Sequence, residues 1–318
     1  MEDARSLLIR QMTREADGIV ALVLVDPEGC ALPGWSPGAH IDIEVPPGAV
    51  RQYSLCGQPD ELGTWRIAIL KEPNGTGGSR YVHEALRPGM TIGVHGPRNN
   101  FPLADADRYL FIAGGIGITP ILPMISKVAG RDADWQLLYG GRHRSSMAFL
   151  AELSAYGSHV SVVPEDEFGL LDLKAALADT APDAAIYCCG PEPLIAAVER
   201  TCSEGLRPAP YVERFKPDPN RPAAPPTGTE HEFEVVLEKS GLTLVVPPDR
   251  SILEVVEEAG VMAFSSCREG YCGCCETAVL EGEVDHRDDY LFGEDRATGK
   301  KIMICVSRSR SPHLVLDL

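Results

Sequence analysis

Ten cysteines occur in a chain of 318 residues, and four of them fall within nine positions, at Cys267, Cys272, Cys274 and Cys275. A further one, Cys305, follows after 29 intervening residues. The spacing C-x4-C-x2-C plus one remote cysteine is the ligand pattern of a plant-type [2Fe–2S] cluster, with Cys267, Cys272, Cys275 and Cys305 as the thiolates. A structural zinc site fits badly, because zinc ligands come as two close pairs rather than three clustered and one distant. Gly270 and Gly273 let backbone amides turn towards sulfur, where hydrogen bonds tune a cluster's potential. Lys301–Val306 reads as the strand that delivers Cys305. Cys274 stands between two ligands and has two readings, a small side chain turned away from iron or an alternative ligand. Disulfides are not expected at such ligand-type spacing.

Two further sets of residues suit cofactor chemistry. Arg51-Gln52-Tyr53-Ser54-Leu55 ends a strand-like run. Its arginine can pair with a phosphate, its tyrosine, two residues on and on the same strand face, can cover an isoalloxazine ring, and Ser54 can hydrogen-bond the flavin edge. Asn74-Gly75-Thr76-Gly77-Gly78-Ser79-Arg80 precedes a helix expected over Tyr81–Leu86, so the amides of Gly78 and Ser79 offer an anion site beside Gly77. Ala113-Gly114-Gly115-Ile116-Gly117-Ile118-Thr119-Pro120 follows a short apolar strand, and its glycines permit a pyrophosphate to approach. Cys188-Cys189-Gly190-Pro191-Glu192 also ends a strand and opens a helix. Two such strand ends facing one crevice make a dinucleotide site. Arg142 or Arg144, at the end of a third strand, could meet the adenosine ribose or the pyrophosphate.

The elements that must position these groups change character along the chain. Residues 1–104 hold short alternating strands, among them 19–25, 40–45 and 66–69, separated by Gly and Pro, as in a closed antiparallel β-barrel. Residues 105–215 alternate strands (109–112, 135–139, 159–163, 185–189) with helices (148–155, 192–203), which implies a doubly wound parallel α/β sheet. The proline-rich stretch 216–229 reads as an extended spacer. Residues 230–318 form the last domain, with a hairpin around Ser240-Gly241 and an amphipathic helix over 252–259.

A formal charge of −17 argues against nucleic acid as a partner. From Glu230 to Leu318 there are 18 acidic and 9 basic residues, a net of −9, which suits either a solubilising surface or a docking face for a basic partner. The N-terminus lacks a signal-peptide layout, and the longest uncharged run, 109–126, is short and broken by Gly and Pro. A cytoplasmic protein without membrane contact is expected.

Together the motifs RQYSL, NGTGGS, GPRNNF, AGGIGITP, CGP, ERF (Glu213–Phe215) and CREGYCGCCET, in this order over nearly the whole chain, resemble the phthalate dioxygenase reductase family, close to its vanillate O-demethylase reductase subgroup. The resemblance implies a β-grasp α+β ferredoxin fold for the last domain and FMN rather than FAD as the flavin. It also implies Thr119 and Cys189 beside the nicotinamide and flavin, and Phe215 near the flavin on the path to the cluster. A hydride carries two electrons and the cluster takes one at a time, so the flavin belongs between them. The implied activity is electron transfer from NADH, with NADPH possible, to a terminal Rieske-type oxygenase. The expected oligomeric state is a monomer. A reductase serving a diiron monooxygenase and a non-catalytic redox sensor are the competing readings. Cys274, where the family has Ser or Thr, and Thr76, often Arg there, depart from the pattern.

Overall fold

The computed structural model describes residues 4–46, 49–73, 75, 77–131, 133–216, 231–265, 267–288, 290–291 and 293–318. The expected proline-rich spacer, apart from Lys216, lies outside the described residues, as do Asn74 and Thr76. The chain forms two compact units, Met1–Arg214 and Phe215–Leu318.

The first unit opens with six antiparallel strands: β1 (Arg5–Ala16), β2 (Ile19–Val25), β3 (Ala39–Val45), β4 (Ala49–Ser54), β5 (Trp65–Leu70) and β6 (Thr91–Asn99). Their order is β4-β3-β6-β1-β2-β5, and a bridge from Leu55 to Ile67 joins the two edges into a barrel. Asp17-Gly18, with Gly18 at φ 73°, makes the two-residue turn between β1 and β2. Ile9, Leu22, Leu24, Ile41, Ile43, Ile67 and Val94 fill the interior. Helix α1 (Gly78–Glu84) begins earlier than its periodicity suggests, because Gly77 at φ 101° turns the chain into it.

The α/β half follows with β7 (Arg108–Gly114), α2 (Ile118–Ala129), β8 (Asp134–Gly141), α3 (Leu150–Leu153), β9 (Val160–Pro164), α4 (Glu165–Phe168), α5 (Leu173–Ala178), β10 (Ala185–Cys189), α6 (Glu192–Glu204) and β11 (Tyr211–Glu213). The five strands are parallel in the order β11-β10-β7-β8-β9. The helix expected over 148–155 is shorter. Phe149 takes a left-handed conformation at φ 62°, which no α-helix interior accepts, so α3 starts after it and passes into a 3-10 turn at Ser154.

Arg66 joins the barrel to the α/β half. Its guanidinium donates to both carboxylate oxygens of Glu152 (3.0 and 3.2 Å) and to the Cys56 carbonyl (3.0 Å from Nε). It also lies 5.0 Å from the centre of the Phe149 ring.

The second unit contains β12 (Phe233–Leu237), β13 (Leu242–Val246), α7 (Ile252–Glu258), β14 (Glu276–Glu281), β15 (Val284–Asp285), α8 (Gly293–Thr298), β16 (Lys301–Met303), β17 (Arg308–Ser309) and β18 (His313–Leu316). Its main sheet runs β13-β12-β18-β14-β16, with β12 and β18 parallel and the other pairs antiparallel. A capping box between Ser251 and Glu254 starts α7, which buries Ile252, Leu253 and Val256 against this sheet. The strand expected over 301–306 ends at Met303. There the chain folds back: the Val306 and Ser307 amides donate to the Met303 carbonyl at 3.2 and 2.9 Å. Cys305 therefore stands on a turn just beyond the strand.

Candidate functional site

In the first unit, the flavin-type residues sit where the barrel closes. Ile41 and Ile43, which face the core, are the register partners of Tyr53 and Arg51. Arg51 and Tyr53 thus share one face of β4, with Gln52 and Ser54 on the other. Arg51 runs along the start of α1: a Cβ on Gly78 would come within 2.9–3.3 Å of its Cγ, Nε and Cδ. A phosphate at this point would have the arginine on one side and the first amides of the helix on the other. Ser79 serves the loop itself, its hydroxyl accepting from the Glu72 amide at 3.0 Å. Tyr53 packs against the barrel core, and burial lifts its phenol to a pKa of about 12. Leu55 is wholly buried.

The two glycine turns meet. A Cβ on Gly114 would stand 2.7 Å from both Pro191 Cδ and Leu194 Cδ2, one on Gly190 would stand 3.0 Å from Gly114 Cα, and one on Gly117 would overlap the Cys189 carbonyl. Bare backbone is what lets the ends of β7 and β10 close on each other. Gly115 differs: it has φ 55° and open space around it. Its carbonyl lies 3.1 Å from the buried Tyr139 hydroxyl, which ties the turn to β8. Thr119 is buried and donates to the Ile116 carbonyl at 2.9 Å. Pro191 caps α6. Arg142 and Arg144 are both exposed after β8, and Arg144 is held by Glu167.

Sequence reasoning named Glu213 in a motif but gave it no role. In the structure it lies beside Cys189 in the β10–β11 register and takes a hydrogen bond from the Ser54 hydroxyl at 3.3 Å. Burial pushes its carboxyl up to about 8, and the Ser54 hydrogen bond only partly offsets this. The Cys189 thiol is raised as well, by burial and then by the Glu213 charge. His40 went unnoticed inside the alternating run 40–45. It is the register partner of Ser54 on β4 and of Arg98 on β6. It is 2 % exposed, and neither ring nitrogen has a hydrogen-bond partner. Burial, then the Arg98 charge, lowers its pKa to about 3.

In the second unit the four expected ligand sulfurs gather. The Cys267 side chain meets those of Cys272 and Cys305, and that of Cys275 meets Cys305. Backbone amides also reach sulfur, Glu269 to Cys267 at 3.3 Å and Cys274 to Cys272 at 3.5 Å. Gly270 (φ 78°) and Gly273 (φ 74°) provide the turns, with Val306 and Tyr290 packed where side chains would stand. Among the described residues no three His, Cys, Asp or Glu side chains form the shell of one ion. A two-iron cluster does not require that, since its four thiolates are shared between two irons. Cys274 is buried, and its sulfur contacts that of Cys272.

A glycine-lined strand-end crevice beside a closed barrel, together with a four-thiolate loop in a second unit, defines an NAD-dependent iron–sulfur oxidoreductase. Family models agree: residues 111–200 match an oxidoreductase NAD-binding domain and residues 235–310 a 2Fe-2S iron-sulfur cluster binding domain. The chain is 40% identical over 315 residues to the phenoxybenzoate dioxygenase subunit beta of Ectopseudomonas oleovorans, covering 98% of this chain and 97% of that one. The solved phthalate dioxygenase reductase superposes with a TM-score of 0.71 at 35% identity, over 99% of this chain and 98% of the other. An intact type IV self-sufficient cytochrome P-450 monooxygenase gives a TM-score of 0.89 at 42% identity. The match covers 99% of this chain, which spans only about two fifths (41%) of that structure's length. The chain belongs to the phthalate dioxygenase reductase family, whose members serve oxygenase systems as electron-transfer reductases. Membership brings FMN, a [2Fe–2S] cluster and a pyridine nucleotide as cofactors. Among the described residues, no helix is long and apolar enough to cross a membrane.

Proposed function

We propose that the chain is the reductase component of a Rieske-type oxygenase, carrying electrons from NADH through FMN and the [2Fe–2S] cluster to the terminal oxygenase. The observation that carries this reading is the convergence of Ser54, Glu213 and Cys189 at the junction of barrel and parallel sheet, in a chain that also gathers four ligand thiols. Bound FMN supplies the exchange between a two-electron donor and a one-electron acceptor.

The assignment divides the chain into a flavin barrel (1–104), a nicotinamide domain (105–215), a spacer (216–229) and a ferredoxin domain (230–318). Arg51, Gly77, Gly78 and Ser79 hold the flavin phosphate, and Tyr53, Ser54 and Leu55 line the ring. Gly114, Gly115, Gly117, Thr119, Cys189, Gly190 and Pro191 receive the nicotinamide dinucleotide, with Arg142 towards its adenosine end, and Phe215 lies on the route to the cluster. Glu213, whose carboxyl burial raises to about 8, accepts the Ser54 hydroxyl proton in a hydrogen bond and so leaves the Ser54 Oγ lone pairs turned to the ring edge. Cys267, Cys272, Cys275 and Cys305 ligate the irons. The chain acts as a monomer, and a cytoplasmic location accords with ten cysteines that all remain unbridged.

Purified protein loaded with FMN is expected to oxidise NADH with ferricyanide, to reduce cytochrome c, and to drive a cognate Rieske oxygenase. Cys305→Ser is expected to lose the visible absorption of the cluster and cytochrome c reduction while keeping ferricyanide reduction. A chain that bound no flavin and left NADH untouched would sink the proposal. The 42% identity to a self-sufficient haem monooxygenase supports a second reading, in which the acceptor is a haem oxygenase. Reconstitution with each class of acceptor separates the two.

A further inference from the structure

The four ligand cysteines come from two stretches of chain that are distant in sequence, the loop 267–275 and the turn at Cys305. On one side the sheet joins them. Strand β14 begins directly after Cys275 and pairs with β16 just before Cys305, with Glu276 opposite Met303. Towards Cys267 and Cys272, no strand pairing ties the loop to the turn among the described residues. Strand β15 pairs with β17 beyond Cys305, Asp285 opposite Arg308. This carries the segment 286–291 past the turn, and the reading above leaves that segment without a role.

Asp288 is the centre of the segment, and it is 2 % exposed. Its Oδ2 accepts from the amides of Leu291 at 2.8 Å and Tyr290 at 3.3 Å, so the carboxylate folds the chain that follows it into a tight turn. Its Oδ1 accepts from the Ser307 hydroxyl at 3.0 Å, and His286 Nδ1 lies 3.3 Å from the same oxygen. Ser307 is wholly buried, two residues beyond Cys305, and its Oγ in turn accepts from the Arg287 amide at 3.1 Å. Arg296 straps the segment by donating to the carbonyls of Asp288 at 2.9 Å and His286 at 2.8 Å. Both turning glycines of the cysteine loop rest on these residues. A Cβ on Gly270 would come within 3.2 Å of Asp288 Cα and 3.4 Å of its Cβ, and one on Gly273 within 2.4–2.8 Å of the Tyr290 ring and hydroxyl.

We propose that Asp288 is a positioning residue for the [2Fe–2S] cluster, holding the loop of Cys267 and Cys272 at a fixed distance from the turn of Cys305. The proposal rests on the four-thiolate site assigned above. One carboxylate reaches both ligand segments. Through Ser307 it fixes the turn, and through its own backbone and Tyr290 it supports Gly270 and Gly273. Gly270 follows Glu269, whose amide donates to Cys267 Sγ at 3.3 Å. The Cys274 amide, directly after Gly273, reaches Cys272 Sγ at 3.5 Å. Amides aimed at sulfur favour the reduced cluster, which carries one more negative charge, so the support that keeps them aimed also sets the potential. An asparagine at 288 keeps the shape, but its NH2 replaces one of the two acceptors. Either the Leu291 and Tyr290 amides or the Ser307 hydroxyl then lose the oxygen to which they donate.

The test compares Asp288→Asn, Ser307→Ala and the double variant in the full chain loaded with FMN and cluster. The readouts are iron release to a chelator, the electron paramagnetic resonance spectrum of the dithionite-reduced cluster, and its reduction potential. Each single substitution is expected to speed iron release about tenfold and to shift the spectrum. Because the two act on one link, the double variant is expected to release iron no faster than Asp288→Asn alone. Ser307→Ala leaves every charge in place and is expected to lower the potential, as the amides loosen from sulfur. A merely structural role would lower the unfolding midpoint while the spectrum and potential stayed at their wild-type values, and that result overturns the proposal. Effects of the two substitutions that multiply in the double variant overturn it as well. Where Asp288→Asn yields no folded protein, Ser307→Ala alone decides by the same spectrum and potential. A wild-type chain that assembles no cluster removes the four-thiolate site itself and the proposal with it.

Discussion

A carboxyl that keeps its proton at neutral pH and an imidazole that refuses one flank Ser54 on different elements. Glu213 holds its proton up to a pKa of about 8 against 4.5 in an unfolded chain. The unfolded state releases that proton first, so folding stability falls as pH rises through this window. His40 has the opposite sign. Its pKa is about 3 in the fold against 6.5 unfolded, so stability falls as pH drops below 6.5. The two slopes oppose each other between 4.5 and 6.5, and from 6.5 to about 8 only that of Glu213 remains. Thermal unfolding across pH 6.5–8.5 should show a falling midpoint for wild type and a flat one for Glu213→Gln. An equal slope in both would remove Glu213 as its source. Neither residue's role was legible in the sequence. The ERF motif displays a glutamate, but only the fold shows that β11 brings it against Ser54 and away from water. His40 sits in an alternating run whose period two identifies a strand and says nothing of what covers its outer face.

At the level of elements, the glycines of one turn are unequal. Gly117→Ala forces a methyl into the Cys189 carbonyl and should cost about 1–3 kcal/mol while parting β7 from β10. Gly115→Ala meets no atom and carries only the left-handed penalty, on the order of 1 kcal/mol. Urea unfolding would rank them, and an equal loss would show that the close approach of β7 and β10 does not matter. Ser251→Ala should remove one partner of the capping box and cost about 1 kcal/mol in the second unit. Strand positions were readable because alternation and apolar runs are local signals: 19–25 matches β2 and 185–189 matches β10. Where local signals misled, a backbone event intervened. Phe149 enters the left-handed region and shortens α3, and the chain folds back after Met303 so that Cys305 leaves its strand. That the four thiols would gather was legible in the sequence, because residue type and spacing are local features.

At the scale of the molecule, charge and partition are the informative features. The second unit carries much of the acidic excess, with 18 acidic and 9 basic residues from Glu230 onward. Electron delivery to a basic acceptor should therefore slow as salt rises from about 20 to 300 mM, and a rate indifferent to ionic strength would dismiss electrostatic steering. Expressed apart, Met1–Arg214 should still oxidise NADH with ferricyanide, and Phe215–Leu318 should still take up iron and sulfide. The basis is that each unit closes its own core. Among the described residues no sheet draws strands from both units. A gene broken between the codons for Arg214 and Phe215 is therefore expected to encode two foldable products. Recombination at that seam can hand either one to a new neighbour, and drift in the electron-delivering half need not wait on compensating change in the half that reads the nucleotide.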